Sequence, residues 1–211
     1  MAADALEKSA LEAKDKEQLT AIAEALGVKA GARATKAVLV EKILEKPGAA
    51  AQPAGDWASL ARYRDANATL GAPKSGERRV VLFGDSITEQ WAQYFDVMFA
   101  GKPYVGRGIS GQTTPQLLIR FRQDVIALRP AAVVILAGTN DVAGNMGRST
   151  DKMIMDNISS MIDLAALNKI KVVLCAILPT TSYSWQPSVK DGTVRVIALN
   201  QQLKAYAATR P

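Results

Sequence analysis

Three short polar clusters in this 211-residue chain hold side chains suited to acyl transfer, and each sits at the end of a short apolar run. Gly84-Asp85-Ser86-Ile87-Thr88 follows RVVLF, and Gly106-Arg107-Gly108-Ile109-Ser110-Gly111-Gln112-Thr113-Thr114 begins at the end of PYVG. Gly138-Thr139-Asn140-Asp141 follows AAVVILA. A serine hydroxyl can attack a carbonyl carbon, and the charge that develops on the carbonyl oxygen needs donors aimed at it. A backbone N–H at a glycine and an asparagine carboxamide are donors of that kind, and glycine permits a close approach. Taken alone, the GDS triplet reads equally well as a Ser/Asp turn capping the next helix, and its flanks do not make the G-x-S-x-G elbow.

The surrounding elements decide how far these clusters can meet. RVVLF, PYVG, AAVVILA and KVVLCAIL read as four strands, the last two too continuously apolar to be half-exposed. Helices are predicted between and after them, roughly 89–100, 115–128, 152–167 and 193–208, and a further helix from Asp56 turns Trp57, Leu60, Ala61 and Tyr63 toward a core. Alternation of this kind implies an α/β fold with a parallel sheet. In the order 2-1-3-4-5 the first and third strands are neighbours, so Ser86 faces Asn140 across the crevice at the strands' carboxyl ends, and Gly111 approaches from the second strand's loop. Asp85 and Asp141 read as loop-holding residues that bond to backbone, and Thr113 and Thr114 as the start of a helix.

Ser86, the Gly106–Thr114 block and Asn140, in this order and strand context, resemble the SGNH (GDSL-type) hydrolase superfamily over residues 56–211. The resemblance implies a flavodoxin-like three-layer α/β/α fold and a serine esterase acting on acyl or acetyl esters of a small molecule, with no metal and no cofactor. It implies Ser86 as nucleophile, and the N–H groups of Ser86 and Gly111 with the Asn140 side chain as the oxyanion hole; Gly108 is the alternative glycine. The family's fourth block, an Asp-x-x-His bearing the base, is absent, since the chain contains no histidine. Asp191-Gly192-Thr193-Val194 is a poor substitute, because it precedes the last amphipathic helix and its Asp191 or Thr193 reads as a cap. By element count a fifth strand and the His-bearing loop, on the order of 20–35 residues, would still follow. The expectation is therefore a C-terminally truncated hydrolase without activity of its own, the alternative being a non-catalytic binding relative.

Ahead of this region, residues 1–46 carry the marks of two short helices and residues 47–55, PGAAAQPAG, those of a linker. Asp15 with Gln18 forms a capping-box pattern, Leu19, Ile22, Ala23 and Leu26 a stripe, and Gly27 a stop; Thr35 caps a second helix with Val38, Leu39 and Ile43 at helical spacing. The pattern resembles SAP-like or Rho N-terminal-like modules, which implies contact with nucleic acid or protein. Charge argues against a strong nucleic-acid role: Lys and Arg in this segment are matched one for one by Asp and Glu, so the net +6 arises downstream. Cys175, the only cysteine, permits no intrachain disulfide and reads as an inert core thiol. With no signal-like start and no stretch near the roughly 20 apolar residues of a membrane span, a cytoplasmic protein without membrane contact is expected.

Overall fold

A computed structural model of the protein describes residues 11–25, 34–44 and 55–210. The chain divides into two compact units, with the boundary between Asp56 and Trp57. In the first, α1 (Lys16–Ala25) begins on a reciprocal capping box: Gln18 N donates to Asp15 Oδ1 at 2.8 Å and Asp15 N to Gln18 Oε1 at 3.2 Å. In α2 (Lys36–Leu44), Val38 N donates to Thr35 Oγ1 at 3.4 Å. Leu19 and Ala23 of α1 pack with Leu39, Val40 and Ile43 of α2. The predicted Val38 is exposed and Val40 takes its place inside, because the buried stripe turns one step further around the helix. Leu26, Gly27, Lys29, Arg33, Lys46 and most of the predicted linker lie outside the described residues.

The second unit follows the βα alternation. After α3 (Arg64–Leu70) come β1 (Val80–Gly84), α4 (Ser86–Ala92), α5 (Phe95–Met98), β2 (Tyr104–Gly108) and α6 (Thr114–Asp124). Then follow β3 (Ala132–Leu136), α7 (Thr139–Ala143), α8 (Asp151–Leu167), β4 (Lys171–Leu174) and α9 (Gly192–Ala208). The four strands run parallel in the order β2-β1-β3-β4, and the register aligns Gly84 with both Gly108 and Leu136. Three loops therefore leave the same edge of the sheet from adjacent strands. Val81, Phe83, Val133 and Ile135 point to one face and share a core with Leu117 and Phe121 of α6 and Ile154, Ile158 and Met161 of α8. Each such fully buried side chain contributes roughly 1.5–3 kcal/mol. On the other face, Gly106 and Gly108 let α4 and α5 press onto β2.

Four expectations fail, the first two for identifiable reasons. Residues 57–63 are turns, not helix, and α3 starts at Arg64. The carbonyls of Trp57, Ala58 and Leu60 accept instead from the side-chain amides of Gln116, Gln112 and Gln123, at 2.8, 2.9 and 2.7 Å. Those acceptors are spent on another element, and Trp57 stays exposed while Ala58 is buried. The third and fourth strands are also not buried on both faces. Val134 and Leu136 are half-buried and Val173 is 53% exposed, since α4 and α5 cover that face only over β1 and β2. β4 ends at Leu174, so Cys175 lies beyond it and is half-buried, with burial pushing its thiol up from the ordinary value. The helix predicted over 89–100 is broken into α4 and α5.

Among the described residues β4 pairs only with β3, and its outer ladder is unpaired beside an apolar face. Such edges template self-association. Residues 1–211 are expected to associate at micromolar concentration in sedimentation velocity, and Val173→Lys to shift them toward monomer. A sharply monomeric wild-type chain would contradict this.

Candidate active site

Ser86 is the first residue of α4, half-buried at the carboxyl end of β1. Asp85 caps that helix: its φ of −99° and ψ of −150° are extended, and its Oδ1 accepts from Ile87 N at 3.0 Å. Capping in this way leaves the Ser86 N–H, in the first turn, without an intrahelical acceptor. The Asp85 carbonyl accepts from Glu89 N at 2.9 Å and continues the helix.

The two candidate glycines have different surroundings. A Cβ on Gly108 would lie 2.2 Å from Glu89 N and 2.6 Å from Asp85 O, so its bareness is what lets β2 lie against the backbone of α4. Gly111 has φ +76° and open space where a methyl group would sit, Asn145 Nδ2 being nearest at 3.8 Å. Its loop is tied back to the helix that Ser86 begins. Ile109 N donates to Gly84 O at 3.1 Å, and Ser110 donates through its N–H (2.8 Å) and its hydroxyl to Glu89 Oε2. Burial pushes the Glu89 carboxyl up, but the bonds from Ser110 and from Arg62 at 3.0 Å outweigh it and hold the group below its ordinary range.

Asn140 and Asp141 lie on α7, whose N-cap Gly138 has φ +117°. Asn140 is 3% exposed; its Nδ2 donates to Gln112 O at 2.9 Å, and its Oδ1 accepts from Asn145 Nδ2 at 3.0 Å. Asp141 accepts from Thr114 N at 2.9 Å and Thr114 Oγ1 at 2.6 Å, which fixes the first turn of α6 and places a carboxylate at its N-terminus. Burial raises both Asp85 and Asp141 to about 6. For Asp85 the bond from Ile87 opposes this and the nearby Asp141 charge adds to it; for Asp141 the Thr114 bonds oppose it. Asp85 Oδ2 is buried with no hydrogen-bond partner.

The structure joins Asn140 directly to the Gly111–Gln112 loop, while Ser86 is held to that loop through Asp85, Glu89 and Ser110. Four residues of this framework carry no readable signal in the sequence. Gln112 and Arg120 lie in a helix entry that reads as ordinary amphipathic chain, and Asn145 and Trp185 meet across 40 positions, with Trp185 Nε1 donating to Asn145 Oδ1 at 2.8 Å. Among the described residues no group of three or more His, Cys, Asp and Glu is placed to hold a metal ion.

Two outcomes follow from this geometry. Gly108→Ala is expected to destabilise the fold by about 3 kcal/mol or more by overpacking against backbone, and Gly111→Ala by only about 1–2 kcal/mol through its positive φ. Equal losses in urea unfolding would contradict the distinction. For Asp85 the folded-state value lies above the ordinary 3.8, so between about pH 4 and 6 the folded protein binds more protons than the unfolded chain. Stability from this group is thus present in acid and lost as the pH rises through 6. Asp85→Asn, which keeps the capping oxygen, is expected to stabilise the chain by roughly 1–2 kcal/mol at pH 8, and by nearly nothing at pH 4. Unfolding curves at both pH values check this; a gain independent of pH would refute it.

Known proteins share this architecture. The chain aligns with a GDSL-like lipase of Bacteroides thetaiotaomicron VPI-5482 at TM-score 0.70 and 47% identity, over 72% of this chain and 74% of that one. The same coverage, with TM-score 0.70 and 49% identity, relates it to a Bacteroides fragilis NCTC 9343 protein provisionally assigned as an acylhydrolase. The uncharacterized lipoprotein YqeF of Bacillus subtilis (strain 168) is 29% identical over 128 residues, 53% of each chain, so the present chain spans about half the length of that curated relative. Residues 82–210, which contain Ser86, Gly111 and Asn140, match the family model itself, and the chain belongs to the GDSL-like lipase/acylhydrolase family.

Proposed function

We propose that this protein is a serine ester hydrolase in which Ser86 is the nucleophile and the Ser86 N–H, the Gly111 N–H and Asn140 Nδ2 form the oxyanion hole. The observation that carries the reading is the setting of Asn140. A primary carboxamide has two N–H donors on one nitrogen. One is spent on Gln112 O at 2.9 Å and the carbonyl end is engaged by Asn145, so the second N–H is free to meet a developing charge at the edge where Ser86 lies. Gly111 in a positive-φ turn and Ser86 in a helical first turn offer backbone donors at the same edge.

In the reaction Ser86 Oγ bonds to the ester carbonyl carbon, its proton passes to a general base, and the tetrahedral oxyanion is met by the three donors. The alcohol leaves with a proton, and water releases the acid from the acyl-serine by the same steps. A serine hydroxyl is almost wholly un-ionised at neutral pH, so a base is indispensable. Residues 1–211 hold no histidine; both oxygens of Asp141 clamp Thr114, and Asp85 is buried and caps its own helix through Oδ1, so neither carboxyl is assigned as the base. The base is assigned to an Asp-x-x-His segment outside these 211 residues.

Residues 1–211 are therefore expected to turn over p-nitrophenyl acetate no faster than their Ser86→Ala variant, while the protein in its full natural length shows Ser86-dependent turnover. There, Asn140→Ala is expected to lower kcat by roughly 10²–10³, the usual consequence of losing one oxyanion donor. Ser86-dependent turnover by residues 1–211, or none by the full-length protein, would sink the proposal.

A further inference from the structure

The Asn140 carboxamide is nearly symmetric in shape but not in polarity. Turned by 180°, it would present a carbonyl oxygen where a donor is required, so an oxyanion hole built on asparagine must fix which way the amide faces. The hydrogen bonds around it form a row that does this. At one end Trp185 Nε1–H, which can only donate, lies 2.8 Å from Asn145 and identifies the facing atom as Oδ1. Asn145 Nδ2 must then face the other way, where it donates to Asn140 Oδ1 at 3.0 Å and to Gly111 O at 3.2 Å. With Oδ1 engaged, Asn140 Nδ2 faces Gln112 O, a peptide carbonyl that can only accept. Both ends of the row demand the same orientation. Asn145 is itself anchored by its backbone N–H to Asn140 O at 3.0 Å, and Trp185 packs edge-on against the buried Tyr183 at 5.3 Å.

Resting on the oxyanion reading above, we infer that Asn145 and Trp185 are positioning residues that set the donor orientation of Asn140 and hold the Gly111 peptide beside it. Asn145 divides its two N–H groups between the two loops that supply Gly111 and Asn140 to the hole. Trp185, 56% exposed, contributes its N–H from the rim and little to the core, so its removal tests orientation apart from folding.

Two measurements decide the matter. In ¹⁵N-¹H spectra of residues 1–211, Asn145→Ala and Trp185→Phe, the latter keeping a ring and deleting the N–H, are expected to move the Asn140 side-chain NH₂ resonances while the amides of α8 stay in place. In the full-length protein Asn145→Ala is expected to lower kcat about tenfold with KM within twofold, and Trp185→Phe severalfold. Asn145→Asp, which keeps the acceptor for Trp185 but loses the donor to Asn140, is expected to fall at least as far as Asn145→Ala. Unmoved Asn140 resonances in both variants overturn the inference. So does a kcat for Asn145→Ala within twofold of wild type when Asn140→Ala loses its 10²–10³. The oxyanion reading fails separately, if Asn140→Ala itself leaves kcat unchanged, and the spectra then still report whether the row orients the amide.

Discussion

Arg120 is the point on which the geometry of the site turns. Its guanidinium is fully buried and lies 4.2 Å over the ring of Phe83. A charge held out of water is tolerable only when its donors are satisfied. Here Nη1 meets Asp124 Oδ2 at 3.1 Å, Nε meets Gln112 Oε1 at 2.6 Å and Nη2 meets Gly84 O at 2.9 Å. Those three acceptors belong to the helix after β2, the loop after β2 and the last residue of β1. Burial lowers the Arg120 pKa from its ordinary value and the Asp124 charge opposes this, leaving the cation in place. Removing one partner from such a group costs roughly 3–5 kcal/mol, so the positions of Gly84, Gln112 and α6 are fixed to one another. Ser86 follows Gly84 by two residues, and Asn140 bonds to the carbonyl of Gln112, so both take their places from the same cation.

Against this satisfied charge stand two carboxyls that are not fully compensated. Asp141 spends its oxygens on Thr114 and Asp85 spends only one, on Ile87, and burial raises both. Neither group gains the fold much free energy at neutral pH. What each gives is placement: Asp141 binds the loop after β3 to the helix after β2, and Asp85 sets the first turn that carries the serine. Local stability is given up where the three loops converge, and the core of Val81, Phe83, Val133 and Ile135 with α6 and α8 carries the difference.

Most of the scaffold was legible because it follows from period and punctuation. Branched apolar runs gave β1 to β4 to within a few residues, and the capping pattern of Asp15 with Gln18 and the Thr113 start of α6 are local codes that survive in the structure. The failures have non-local causes. Residues 57–63 look helical until three glutamines of the distant loop and α6 take their carbonyls. The runs of β3 and β4 look doubly buried because apolarity reports what a side chain tolerates, not which face a helix covers. At the candidate site, Ser86, Gly111 and Asn140 stand out in the sequence because three polar clusters follow in one order, each at the carboxyl end of a strand. Gln112, Arg120, Asn145 and Trp185 do not, since a carboxamide, a guanidinium and an indole have meaning only beside their partners.

Those partners also explain why the Asn140 carboxamide has one orientation rather than two. Each carboxamide in the network can be reversed at almost no change in shape, so hydrogen-bond direction has to come from groups that cannot reverse. Two rows supply it. One starts at the indole N–H of Trp185, passes through Asn145 and Asn140, and ends at the carbonyl of Gln112. The other starts at the guanidinium of Arg120, enters Gln112 at Oε1 and leaves through Nε2 to the carbonyl of Ala58. Both begin at a group that only donates and end at one that only accepts, and they meet at Gln112. Reversing any one amide sets like against like at two or more contacts, and at the buried ones around Gln112 each mismatch costs roughly 1–3 kcal/mol. The donor that Asn140 presents at the crevice is thereby a property of both rows together, anchored at one end by a rim indole and at the other by the buried cation that places the strands' ends.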